Sequence, residues 1–190
     1  MYLNNFEIDT TASKDVLTVS GTGETVLDTV TLNSTYYRGI YANASGNTIT
    51  IKDSDIIVEY SSSSTTYGIY ANTGTLIILN STIRAKNTYR SSYDAYGIYI
   101  GTADVTLGVN DGEEVSQAMP YVEGISATGK GYGVNIGNGS FRFYDGKILG
   151  STNARLGTIT SVPYLYEAHS YPVEATEESA AYEYCVLDPQ

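Results

Sequence analysis

The chain has 190 residues, 16% of them charged, with nineteen tyrosines, no tryptophan and a net charge of −11. Its length predicts one sizeable domain, and its charged fraction lies well below the roughly 25% of ordinary soluble proteins. The ten Lys and Arg residues are scattered, which excludes nucleic acids and anionic membrane surfaces as partners because both require clustered basic residues.

Cys185 is the only cysteine, so an internal disulfide is excluded. The sequence lacks an apolar run long enough to span a membrane, and we expect no membrane insertion. The first residues carry neither the basic nor the apolar region of a signal peptide. The chain is therefore either intracellular or a fragment of a longer exported protein, and the abrupt end at Asp188-Pro189-Gln190 favours the fragment.

The N-terminal segment predicts two short strands. Asp15 to Val19 and Val26 to Leu32 both alternate between apolar and polar residues, and Gly21-Thr22-Gly23 between them is typical of a turn. We interpret this segment as an incomplete first coil, with the extreme N-terminus covering its open end.

A repeated phrase organises residues 36–150. Its four copies are Arg38-Gly39-Ile40-Tyr41, Tyr67-Gly68-Ile69-Tyr70, Tyr96-Gly97-Ile98-Tyr99 and Tyr132-Gly133-Val134-Asn135. The glycines lie 29, 29 and 36 residues apart, a period that indicates stacked supersecondary units.

Each unit reads as three short strands separated by turns. The phrase is the first strand, an alternating run such as Leu76 to Ile78 is the second, and the third is centred on Ile56, Ile83 or Ile148. Period-2 alternation favours strands over helices. Three strands per unit predict a parallel β-helix whose equivalent strands pair between coils.

Two segments depart from the repeat. The third unit carries an insertion after Leu107, which reads as a surface loop or a binding loop, before Tyr121 to Ile125 supply the third strand. Residues 159–190 do not repeat, and we interpret them as a C-terminal β cap or a linker following a solenoid domain of residues 1–158.

Two stretches carry a family resemblance. Residues 68–83 resemble the right-handed parallel β-helix repeat of pectate-lyase type. The run Phe141 to Ile148, together with Thr106-Leu107-Gly108 and Asp111-Gly112, is similar to segments of large repetitive surface or secreted proteins of Gram-positive gut bacteria. The resemblance implies export and an extracellular or cell-surface location, with an adhesin-like role.

Many proteins with this fold cleave polysaccharides, which requires suitably placed carboxylates. Asp53 aligns with Asn80 and Asp145 after the second strand, where Asp and Asn favour turns. The alternative is that Asp53 and Asp55 share a cation with Glu59. His169 is the only histidine and has no evident partner. We predict no catalytic residue, no metal site and no cofactor.

The candidate binding residues are Tyr41, Tyr70 and Tyr99. If the isoleucine of each phrase points inward, strand alternation turns these tyrosines outward into one column, which ends at Asn135. The column is either a stabilising ladder or a glycan platform. The same alternation turns Tyr67, Tyr96 and Tyr132 inward, but it would also bury Arg38, which is costly without a partner.

The sequence therefore favours a non-catalytic module of an exported bacterial surface protein, adhesin-like or a stalk. Its expected partners are host or bacterial glycans or proteins. The alternatives are a carbohydrate-active enzyme, either a polysaccharide lyase or a glycoside hydrolase, and a purely structural spacer.

Overall fold

Parallel strands wind around one apolar core in the computed structural model of the chain. It describes residues 1–10, 15–108 and 120–160, and the backbone of residues 166–167 and 181–185. The fold is all-β, with 70% strand and no helix among the residues described, and it forms a β-solenoid of about five turns. The predicted parallel β-helix repeat is thereby confirmed.

The described residues form sixteen strands. They are β1 (Tyr2–Thr10), β2 (Leu17–Val19), β3 (Thr22–Ser34), β4 (Arg38–Lys52), β5 (Asp55–Tyr60), β6 (Thr66–Leu79), β7 (Thr82–Asn87), β8 (Ala95–Ile100), β9 (Asp104–Leu107), β10 (Tyr121–Ser126), β11 (Gly131–Ile136), β12 (Ser140–Phe143), β13 (Gly146–Gly150), β14 (Asn153–Leu156), β15 (Tyr166–Glu167) and β16 (Ala181–Cys185).

The strands form three faces, because β1, β3, β4 and β6 each bend round a corner and contribute to two of them. Face A contains β2, the first parts of β4 and β6, β8, β11 and β14. Face B contains the first parts of β1 and β3, the second parts of β4 and β6, β9 and β12. Face C contains the second parts of β1 and β3, then β5, β7, β10 and β13.

Equivalent residues of successive coils pair in parallel register and fill the core. On face A, Ile40 pairs with Ile69, Ile69 with Ile98, and Ile98 with Val134. All four side chains are fully buried, and Leu76, Val105 and Phe141 continue the same arrangement on face B. Burial of each such side chain contributes on the order of 2 kcal/mol, so the stacked rows hold the coils together.

The corner between faces B and C has a left-handed backbone in four successive coils. Asn5, Thr29, Asp53 and Asn80 all have positive φ, between 42° and 54°. Asn80 donates a side-chain hydrogen bond to Asp53 in the coil before it, which confirms that these two residues align in a turn. Asp145 is level with Asn80 as well, because the strands before and after the turn keep the same register in both coils, and the predicted three-way alignment is confirmed. The backbone differs there, since the positive φ of 117° belongs to Gly146 instead of Asp145.

The two ends of the solenoid differ. At the N-terminal end β1 pairs in parallel with β3, so that Leu3 lies beside Leu27 and Ile8 beside Leu32, and the strand extends the solenoid. At the other end β16 pairs antiparallel with β13 and covers its free edge, as a β cap would. The domain boundary near residue 158 stays a prediction. The inserted loop at 109–119, His169 and most of the predicted cap at 159–190 lie outside the described residues.

Candidate functional site

The glycine of each repeated phrase interrupts strand alternation on face A. In the second copy, Gly68, Ile69 and Ala71 are buried while Tyr67 and Tyr70 on either side are half-buried. Two successive residues therefore point inward. A Cβ atom added to Gly68 would lie 2.6 Å from the Gly97 carbonyl oxygen and 2.8 Å from Ile83 Cγ2 on face C, so no side chain fits between the two faces there.

This interruption turns both tyrosines of a phrase outward. Strict alternation predicts that Tyr67, Tyr96 and Tyr132 point inward, and the structure shows that this prediction is wrong. The Tyr67 ring lies 5.1 Å from the ring of Tyr70 and 5.9 Å from that of Tyr99, both in the outward column. The same interruption resolves the difficulty with Arg38, whose side chain lies on the outer surface and is 20% exposed.

The predicted column of Tyr41, Tyr70 and Tyr99 is present in parallel register, with Asn135 next in line. The rings of Tyr41 and Tyr70 meet edge to face at 5.5 Å, and those of Tyr70 and Tyr99 lie 4.8 Å apart at 35°. These separations fall in the range of favourable aromatic pairs. Whether the column binds a ligand stays a prediction.

A second row of tyrosines lies beside this column. Tyr67 and Tyr96 lie 5.5 Å apart, and Tyr96 stacks on Tyr132 at 5.9 Å with the ring planes 22° apart. The two rows together form one surface, here called the tyrosine face. Its members are Tyr41, Tyr67, Tyr70, Tyr96, Tyr99 and Tyr132.

An arginine continues the second row at its N-terminal end. Arg38 occupies the position that Tyr67 takes in the next coil, and its guanidinium lies 4.5 Å from the Tyr41 ring centroid and 4.8 Å from that of Tyr37. It also donates two hydrogen bonds to Asp15, at 2.5 and 3.1 Å. The tyrosine rings therefore hold a planar cation at one end of the face, and a carboxylate balances its charge.

Polar groups border the tyrosine face beside Tyr96. The Tyr96 hydroxyl donates a 2.7 Å hydrogen bond to Asp94, whose other carboxylate oxygen accepts one from the Lys130 backbone. Burial, and then this bond to Asp94, raise the pKa of Tyr96. Burial also raises the pKa of Tyr67 to about 12 and raises that of Tyr70. These three phenols stay neutral at physiological pH. Tyr96 already donates its proton to Asp94, so Tyr67 and Tyr70 are the two of them that can donate a hydrogen bond to a ligand.

The rings cover one another, which limits the surface that a ligand can contact on the tyrosine face. Stacking between coils hides much of each ring, and Tyr132 is only 5% exposed. What remains for a ligand is ring edges, hydroxyl groups and part of the ring surface in two rows. Sequence reasoning missed the row of Tyr67 because it assumed unbroken alternation; the recurring glycine before each isoleucine was the signal.

A groove runs across the outer side of face C, on a different side of the solenoid. One part, of about 280 Å³, is lined by residues that include Glu59, Arg84, Lys86 and Glu123. A second part, of about 380 Å³, shares Ile57 and Glu59 with the first and extends to Asp9. Sequence reasoning did not single out this surface, since outward charges on a strand resemble ordinary solvated positions.

The acidic residues considered for a cation are separated by the turn. Asp53 holds the corner and accepts the bond from Asn80, while Asp55 begins β5 and is exposed. Within the described ranges, no group of three or more His, Cys, Asp or Glu side chains could hold a metal ion. The same part of the chain contains no helix that is long and apolar enough to cross a membrane.

Comparison of the chain with protein-family models, curated proteins and solved structures found no match in any of the three.

Proposed function

We propose that this chain is a non-catalytic module of an exported bacterial surface protein, adhesin-like or a stalk, which contacts glycans through the tyrosine face. The observation that carries the proposal is the pair of outward tyrosine rows, each in register over three coils. A solenoid suits this role because it presents the same side chain repeatedly along an elongated surface.

The chemistry of tyrosine supports a sugar ligand. The C–H faces of a sugar lie well on aromatic rings, and a phenol adds a hydrogen-bonding tip to a large apolar body. Tyrosine also supplies contact area at a small cost in conformational entropy. Here the rings are already ordered by their neighbours, which lowers that cost further.

A purely structural spacer is the competing interpretation. The ring contacts that order the tyrosine face also stabilise the coils, as cross-strand pairs do in any sheet. In a spacer the rows would act only as a ladder, and the face would bind no glycan.

The test is a glycan array probed with the unaltered protein, with Tyr70→Ala and with Tyr89→Ala. Tyr70 contacts three other rings of the face, whereas Tyr89 is 37% exposed and contacts Tyr93 instead. We expect glycan signals that Tyr70→Ala abolishes and Tyr89→Ala retains, with circular dichroism confirming that both variants fold. If the unaltered protein gives no signal, the glycan-contact proposal fails and the spacer interpretation remains.

The second candidate is a carbohydrate-active enzyme, and the face C groove is the observation that favours it. Glu59 and Glu123 both line that groove, and strand spacing and rise place their Cα atoms about 12 Å apart. Glu123 is however bound to Arg84 at 2.9 Å. The non-catalytic proposal expects no release of reducing ends or unsaturated sugars from polysaccharides, and release that Glu59→Gln abolishes would establish the enzyme.

Surface display needs its own test. The proposal expects the full-length gene product to carry a signal peptide, further repeats and a wall anchor. Antibodies raised against this chain should then label intact bacterial cells, and labelling that requires cell lysis would contradict display.

A further inference from the structure

Two rows of outward side chains wall the face C groove along the solenoid axis. Parallel register places Asn33, Ile57, Arg84 and Glu123 in one row. The second row lies two residues further along each strand and contains Glu59, Lys86 and Ile125. The backbone of the strands forms the floor between the rows.

The charges change sign from coil to coil along this groove. The β5 level carries the carboxylate of Glu59, the β7 level carries the two cations Arg84 and Lys86 facing each other across the groove, and the β10 level carries Glu123. The groove thus offers an anionic position and a cationic position on neighbouring coils, about 4.8 Å apart.

Two of these charges are open to a ligand. Arg84 is paired with Glu123 at 2.9 Å and lies over the Tyr121 ring at 5.4 Å. Glu59 and Lys86 are exposed and adjacent in register, yet neither forms an ion pair within the described residues. Direct contact between two exposed charges stabilises a protein only slightly. Glu59 and Lys86 therefore lose little when a ligand that carries both opposite charges binds to them.

The floor of the groove favours a glycan over an extended peptide as the ligand. Its backbone N–H and C=O groups are used in the parallel ladders of β5, β7 and β10. An extended peptide binds a sheet chiefly through main-chain hydrogen bonds at a free edge, which this floor does not offer. A glycan instead bonds through its own substituents to side chains, and the coil spacing is close to the length of one sugar ring.

We propose that the face C groove binds a linear zwitterionic glycan, with an amine-bearing sugar at Glu59 and an acid-bearing sugar at Lys86. The inference rests on the proposed glycan-contact function for the type of ligand, but it concerns a separate site. This site recognises the pattern of charges on the ligand, which the tyrosine face does not.

The experiment measures binding of three tetrasaccharides by isothermal titration calorimetry. The zwitterionic probe alternates glucuronic acid with unmodified glucosamine, the anionic probe is its N-acetylated form, and the cationic probe is chitotetraose with free amines. We expect the zwitterionic probe to bind up to about fivefold more tightly than either single-charge probe, since fivefold is the upper range for one exposed ion pair. Equal affinities, or no binding of the zwitterionic probe, would overturn the proposal.

Matched variants locate the site. Glu59→Gln should lower affinity for the zwitterionic probe to that of the anionic probe, and Lys86→Glu should abolish binding of both. Glu24→Gln and Lys130→Glu, at exposed positions outside the groove, should change neither. Zwitterion binding that survives both groove variants would refute the assignment. Loss of neutral-glycan binding in Tyr70→Ala tests the tyrosine face separately, so the two proposals can fail independently.

Discussion

The repeated phrase requires glycine because a side chain would not fit at that position, and not because the backbone conformation there is unusual. Gly68 faces a backbone carbonyl and an isoleucine methyl group, both closer to its missing Cβ than real Cβ contacts allow. The surrounding atoms belong to two faces of the solenoid, and neither can retreat without separating the strands. This close approach explains why the phrase tolerates Tyr, Arg or Asn elsewhere but keeps glycine at its second position in all four copies.

We therefore expect Gly68→Ala to lower the free energy of unfolding by about 2–3 kcal/mol, in the range of overpacked cores. Gly46→Ala is the matched control, because its nearest obstacle is the end of the Thr22 side chain, and it should cost less than about 1 kcal/mol. Urea unfolding of both variants measures the difference. Equal losses in the two variants would mean that crowding does not select the glycine.

Asp145 is a buried carboxyl group that weakens the fold once it ionises. It is 6% exposed, its Oδ1 atom has no hydrogen-bond partner among the residues that the structure describes, and burial raises its pKa above the ordinary 3.8. A carboxyl group whose folded pKa exceeds its unfolded pKa favours the folded state only below that unfolded value, and the advantage is lost as pH rises through the folded pKa.

Asp145→Asn should accordingly gain stability relative to the unaltered protein as pH rises above 3.8, with no gain near pH 3. The amide removes the charge and can still accept the hydrogen bond from the Gly146 backbone. Urea unfolding at a series of pH values measures the gain. Asp55→Asn, at an exposed position of β5, controls for the loss of one charge, and a pH-independent difference for Asp145→Asn would contradict the assignment.

At the scale of the element, the corner between faces B and C has a left-handed backbone conformation, which some residues adopt more readily than others. Asn and Asp accept positive φ more readily than most residues, while a β-branched residue is strained there. Thr29, with φ of 54°, is the one β-branched member of the four-residue corner row.

Thr29→Asn should therefore stabilise the protein by about 0.5–1 kcal/mol, the usual scale of backbone effects at such sites. Asn80→Thr, the reverse change two coils further on, should destabilise it and also remove the bond to Asp53. Thermal unfolding of the two variants gives opposite shifts in Tm if the corner governs them. A lower Tm for Thr29→Asn would refute the strain at Thr29.

Sequence patterns predicted most of these elements, and their failures have physical reasons. The glycine spacing and the alternating runs indicated three strands per coil, and Ile40, Ile69, Ile98 and Val134 form a core row as expected. Alternation failed where glycine allows two successive inward residues, so half of the tyrosine face was missed. The Arg38–Asp15 pair joins residues 23 positions apart, and only the stacking of coils shows that they meet.

At the scale of the whole molecule, each coil contacts mainly its two neighbours. Stability in such a protein is approximately a sum over repeats and their interfaces. A complete coil can therefore be removed without disturbing the others, provided that the register on either side of the junction is kept.

Deleting residues 39–67, which are 29 residues, joins Arg38 to Gly68 and keeps the register of face A. We expect a folded protein, with the far-ultraviolet dichroism of β-sheet, shortened by about one strand spacing of 4.8 Å. Small-angle X-ray scattering measures the shortening. Deleting residues 41–68 instead puts Ile40 into the crowded glycine position and should prevent folding; if both deletions fold equally well, register does not control stacking.

The direction of the ladders has a mechanical consequence. Backbone hydrogen bonds between coils run along the solenoid axis, so tension between the two ends pulls directly on them, one coil at a time, rather than shearing many together. Each released coil of 29 residues adds about 100 Å of extended chain. In the proposed stalk, such coils lengthen stepwise under load and dissipate work at each step.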